Sequence, residues 1–192
     1  MEVLVTMIII LIGLLGIVAL QAKAHVAELE AYQRSQALII LSDITDRLNV
    51  NRATATCFNI TSNTTAGTPY LGDTTGGSHY DTTTDCTAAT SNYNTLAKKT
   101  LTYIDELLQG SAEALGTNNV GAMIGARACI SYDSSSELGG VSGTGLYTII
   151  VTWQGMSGGL VAPTKMRCAV GLYGDETQRR AVSTSIRLAN LY

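Results

Sequence analysis

From residue 3 to residue 22 the chain reads VLVTMIIILIGLLGIVALQA without one charged side chain, and only then do acids and bases begin to alternate with apolar residues. As a helix, a run of that length rises about 30 Å, the thickness of a bilayer's hydrocarbon core. Beyond Lys23, apolar or small side chains recur at Ala24, Ala27, Ala31, Leu38, Leu41, Ile44 and Leu48, near the three-and-four spacing of one helical face. Glu28, Glu30, Arg34, Asp43, Asp46, Arg47 and Arg52 supply the wet face between them. No proline interrupts residues 1–52, so the pattern predicts one continuous helix of about 75 to 80 Å. Residues 1–22 form its membrane half and residues 23–52 its amphipathic half. Gly13 and Gly16 each weaken the helix by about 1 kcal/mol relative to Ala in water, and mark either flexible joints or close packing between helices.

Residues 53–192 are enough for one globular head with its own core. Its first part, residues 54–95, is dominated by Thr, Ser, Asn, Gly and Asp, which predicts an exposed irregular loop serving either as a contact surface or as a solvated connector. A second helix is expected over residues 95–108. Leu96, Leu101, Ile104, Leu107 and Leu108 share a face, Asn94 or Thr95 is placed to cap it, and Gly110 to end it. Four short runs of β-formers follow, at residues 127–132, 146–153, 166–172 and 182–188, separated by glycine-rich turns. They predict an antiparallel sheet packed on the amphipathic half of the long helix, an α+β arrangement.

The opening EVLVTMIIILIGLLG, the polar continuation LQAKAHVAELEAYQRSQALIILSDITDRLNVNR, the strand YTIIVTWQG and the terminal RRAVSTSIRLANLY together resemble the type IV pilin superfamily. In detail they resemble its PilV-like minor pilins, the type IV pilus modification proteins. The likeness covers both ends of the chain and leaves the middle variable. It implies a pilin-like fold, an inner-membrane helix, a periplasmic head and, after assembly, a place in a surface fibre. Precursors in this family carry a short basic leader ending in Gly, removed by the prepilin peptidase. Only Met1 precedes Glu2 here, so the expectation is a start codon inside a longer reading frame, or a shortened chain; as written it is no substrate for that peptidase.

A periplasmic head lies in an oxidising compartment, where the even number of cysteines, Cys57, Cys86, Cys129 and Cys168, implies two disulfides. Three connectivities are open, and sequential pairing, Cys57 with Cys86 and Cys129 with Cys168, is expected because the first pair brackets a loop with little else to hold it. Zinc is disfavoured: no Cys-x-x-Cys pair is present, and His25 and His79 are far apart. Asp73, Asp81 and Asp85 lack the alternation of a calcium loop. The net charge of −3 gives no footprint for nucleic acid, and Lys98-Lys99 and Arg179-Arg180 are too short as runs to change this. His25 reads as a solvated helix residue, the glycines of residues 140–145 as a hairpin turn, and Trp153 as a core aromatic rather than a recognition residue. No arrangement of nucleophile, base and acid is visible, so neither an enzyme nor a cofactor is expected.

Glu2 is the informative residue. A carboxylate at the end of a membrane helix is costly in hydrocarbon unless paired. The resemblance implies that its partner in a filament is the amino-terminal ammonium of a neighbouring subunit; in an isolated chain it is an interfacial charge favoured by the helix dipole. The resemblance implies a minor pilin that helps prime assembly, sits near the fibre tip, and meets other minor pilins, the major pilin, a tip adhesin and the inner-membrane assembly platform. The alternatives are a minor pseudopilin of type II secretion and a membrane-tethered periplasmic binding module.

Overall fold

The computed structural model describes residues 2–111 and 123–189, together with the backbone of residues 114–115 and 118–119. Met1 and the last three residues of the terminal run lie outside them. Helix α1 is a single helix over Glu2–Val50, about 74 Å long. It ends two residues short of the predicted limit and passes into a 3₁₀ turn, Arg52–Phe58. The other elements are β1 (Leu71–Gly72), α2 (Ser91–Leu108), a two-stranded pair β2 (Ala114–Leu115) and β3 (Asn118–Asn119), β4 (Arg127–Asp133), β5 (Leu146–Gln154) and β6 (Arg179–Arg187). β1, β4, β5 and β6 form an antiparallel sheet in that order. A long apolar N-terminal helix with a four-stranded antiparallel sheet is the α+β layout expected.

The period of two along the strands divides the sheet into two faces. On one face Ala128 stands opposite Val151, Ile130 opposite Ile149 and Tyr132 opposite Tyr147; β6 adds Val182 and Ile186 in register. This face packs against α1 and α2, whose Ala37, Ile44, Leu48, Ala97, Ile104 and Leu108 are buried with it. Trp153 is 3% exposed in the same core. On the other face Cys129 and Ile150 meet Tyr70, Cys168, Ala169 and Tyr173.

The strand directions fix which end of the head faces the anchor. The hairpin between β4 and β5 and the end of β6 lie at the far end of α1, where Val50, Asn51, Ser142, Gly143 and Leu188 line one cleft. β5 therefore runs back along α1, and residues 155–165 leave the sheet on the rim nearest the apolar half.

Several sequence expectations change. The buried stripe of α1 is Gln33, Ala37, Ile40, Leu41, Ile44 and Leu48, whereas Ala24, Ala27, Ala31 and Leu38 are exposed. The head's core begins only near Gln33, so small residues before it have nothing to pack on, and Leu38 lies at the margin of the contact, in an open cleft with Thr184 of β6. α2 starts four residues early at Ser91; Asn94 holds Ala89 instead of capping, its Oδ1 accepting from Ala89 N at 2.9 Å. Residues 166–172 are not a strand: Ala169 has φ 51°, a left-handed backbone that cannot continue an extended chain, and Cys168 is committed to a disulfide. β1 takes the place in the sheet.

The segment 54–95 is only partly the exposed loop expected. Phe58, Ile60, Tyr70 and Leu71 are buried, and Thr61 N donates to Ile130 O at 2.9 Å along the edge of β4. Its polar residues cap their own turns: Asn63 Oδ1 accepts from Thr65 and Ala66, and Asp73 Oδ1 from Thr75. A few large apolar side chains are sufficient to pin a segment whose remaining polar groups are locally satisfied.

Candidate functional site: the helix end and the head it carries

The apolar half of α1 is wholly uncovered. Its most apolar stretch has a mean hydropathy of 3.1 and none of it is buried within the molecule. The side chains from Val3 to Leu20 point outward on every side, so the segment has no fold of its own to bury it, and lipid or another helix is the environment it suits. Thr6 donates to Val3 O at 2.9 Å, which satisfies its hydroxyl within the helix. At Gly13 and Gly16 the helix continues unbroken, and a Cβ at either would meet nothing within 4 Å in the isolated chain.

Glu2 stands in the first turn, where the helix dipole favours a negative charge. It is exposed, and no described residue forms an ion pair with it. About 46 Å of helix separates it from Gln33, where the head begins, so the structure does not bring Glu2 and the cysteines together. Cys57 is bonded to Cys86 and Cys129 to Cys168, with Cα atoms 5.7 Å apart in each pair. The first bond ties the turn after α1 to the approach to α2. The second crosses from the middle of β4 to the segment that replaces the expected strand, whose Ala169 and Val170 amides also donate to Gly67 and Ala66.

Two polar clusters escaped the sequence reading. At the anchor-facing rim, Glu30 Oε1 accepts from Ser157 N at 3.2 Å, from Ser157 Oγ at 3.0 Å and from Arg180 at 3.3 Å. Arg180 in turn donates to Thr177 O and Ser157 O at 2.7 and 2.8 Å. Burial alone would raise the Glu30 pKa, but the hydrogen bonds from Ser157 and the charge of Arg180 outweigh it and hold the carboxyl below its ordinary range. These contacts clasp helix and head across 150 positions, a separation no local pattern reveals.

The second cluster surrounds Arg127, 1% exposed at the start of β4. Its guanidinium lies 5.1 Å from the Tyr70 ring centroid and 4.9 Å from that of Tyr173, and donates to Asp73 Oδ2 at 3.1 Å and to Thr75 Oγ1 at 2.7 Å. It fastens the threonine-rich segment to the sheet, through one of the aspartates considered for calcium. The other two are elsewhere: Asp81 caps Thr83 and Asp85 pairs with Lys98. His79 Nε2 lies 2.7 Å from Asp105 Oδ1, tacking the same segment to α2, while His25 faces Glu28 on exposed helix. Arg179 is 3% exposed and paired with Glu176 at 2.7 Å, so it belongs to the fold rather than to a basic surface. Among the described residues no group of three or more His, Cys, Asp or Glu side chains is arranged to hold a metal.

No protein-family model, curated protein or solved structure matches the chain.

Proposed function

We propose that the chain is a minor subunit of a type IV pilus, held in the inner membrane with its head in the periplasm and carried into the surface fibre on assembly. The observation that supports this reading best is α1 itself. One unbroken helix supplies both a stripe of the head's core, from Gln33 to Leu48, and an apolar half with no partner in its own chain. A lone anchor needs only to be apolar. A subunit anchor must exchange lipid for neighbouring helices, and a rigid rod continuous with the head keeps the head in register through that exchange. Glu2 is then, among the described residues, the charged side chain at the end of the rod available to a neighbour's ammonium, and two disulfides suit a head exported to an oxidising compartment.

In this role the subunit joins other minor pilins and the major pilin on the assembly platform, primes polymerisation, and stays near the tip beside an adhesin. The threonine-rich segment, held at its buried residues and open between them, is the surface it presents. A catalytic or cofactor-dependent role forms no part of the proposal.

Deleting the gene is expected to reduce surface filaments, the intact gene to restore them, and antibody against the head to mark filaments sheared from the cell. Unchanged filaments with impaired secretion of exported proteins indicates a pseudopilin instead. If both are unchanged, the chain is not an assembly subunit.

A further inference from the structure

β5 descends toward the membrane end of the molecule, and residues 155–165 (GMSGGLVAPTK) leave it on the rim facing the apolar half of α1. The base of this loop is firmly built. Gly155 N donates to Gln178 O at 2.7 Å and Gly159 N to Thr177 O at 2.9 Å. The loop folds around Arg180 so closely that a Cβ at Gly155 or Gly159 would fall 2.9 Å from the guanidinium. Arg180 and Ser157 both hold Glu30. Beyond this base the chain displays apolar side chains: Leu160 is 94% exposed, Val161 58% and Met156 44%.

We infer that the tip of this loop, Leu160 and Val161 together with Met156, is a second membrane contact that dips into the headgroup layer and fixes the tilt of the whole rod and head in the membrane. The inference rests on reading the apolar half of α1 as the membrane anchor. With Ala22 at the hydrocarbon boundary, Glu30 lies about 12 Å further along the axis. The headgroup layer accounts for about 5 to 7 Å of that, and the two residues that leave the base after Gly159, Leu160 and Val161, reach up to about 7 Å, which spans the remainder. Tilt of the helix toward the loop shortens it further. Lys23 and Glu28 on α1, Lys165 in the loop and Asp175 ahead of β6 are exposed, two bases and two acids. The charges therefore nearly balance, and the apolar tip supplies the attraction, as in an interfacial segment.

All four native cysteines are in disulfides, so one added cysteine takes a label alone. The full chain carrying Leu160→Cys, labelled with an environment-sensitive fluorophore, is reconstituted into phosphatidylethanolamine–phosphatidylglycerol vesicles. Val141→Cys, in the hairpin at the opposite end of the head, and Leu20→Cys, in the span, are labelled in parallel. The inference predicts that emission from position 160 is shifted to the blue, is quenched by lipids spin-labelled near the headgroup, resists aqueous iodide, and stays so as protein is diluted in lipid. The label at 141 responds to iodide alone. Iodide quenching at 160 together with lipid quenching at 20 overturns the loop contact and leaves the anchor standing. Iodide quenching at both overturns the anchor reading and the loop contact with it. Protection at 160 that vanishes on dilution, without lipid quenching, assigns the tip to a second copy of the chain and also overturns the inference.

Discussion

Glu30 shows how one carboxylate joins two parts of this molecule. Its folded pKa lies below the ordinary value of 4.5, so its contribution to stability is present above that value and is lost as pH falls through the lower, folded one. Glu176, shifted down by the Gly171 amide and Arg179 against the opposing effect of burial, acts in the same window. Thermal midpoints of the detergent-solubilised chain are expected to fall as the pH drops below 4.5, and Glu30→Gln to flatten that fall while lowering stability at neutral pH. An unchanged pH profile in the variant would show that the clasp carries no stability. Tyr147 makes the opposite case. It is fully buried on β5, its ring 4.6 Å from that of Tyr132, and its hydroxyl has no hydrogen-bond partner among the described residues. An unpaired buried hydroxyl is destabilising by about 1 to 3 kcal/mol, so Tyr147→Phe is expected to leave stability equal or raise it by up to about 1 kcal/mol in urea unfolding. A loss larger than about 1 kcal/mol contradicts the reading of Tyr147 as unsatisfied.

Among the elements, the two disulfides close loops of 29 and 39 residues, which the loop-entropy model values almost equally, at about 3.6 and about 3.9 kcal/mol. Their settings separate them. Cys129 and Cys168 are 2% and 0% exposed, and their bond holds the left-handed segment at Ala169 against the second face of the sheet. Cys129→Ala is expected to destabilise the head by about 2 to 5 kcal/mol, and Cys86→Ala by less, because Cys86 is partly exposed and α2 keeps its own apolar face. Equal losses in denaturant titrations contradict this ordering. The same segment marks the limit of what the sequence displays. α1, β4 and β5 were legible because a long uncharged run and short runs of β-formers bounded by glycine-rich turns are local signals. Residues 166–172 read as such a run yet form no strand, since a long-range bond and one positive φ override the pattern. β1 is two residues long and has no pattern to find. Glu2 and the cysteines were visible by residue type and position; the Glu30–Arg180 clasp and the Arg127 cage were not, because each joins residues that only the fold makes neighbours.

At the scale of the whole molecule, a rod of about 74 Å carries the head at one end and an uncovered carboxylate at the other. The head buries one stripe of the rod from Gln33 upward, holds it at Glu30, and leaves its apolar half uncovered. On the proposed reading as a pilus subunit, this division separates insertion from assembly: insertion would need only the apolar run, and assembly would need the end charge to meet a partner once the helices leave lipid. The direct measurement compares wild type with Glu2→Ala and Glu2→Gln, each the sole copy in cells, by quantifying the subunit in membranes and in sheared surface fibres. The account predicts equal membrane levels for all three, with both variants depleted from fibres and filament numbers reduced. Normal recovery of Glu2→Ala in fibres, with normal filament numbers, contradicts it and leaves Glu2 as a helix-end charge without a role in assembly.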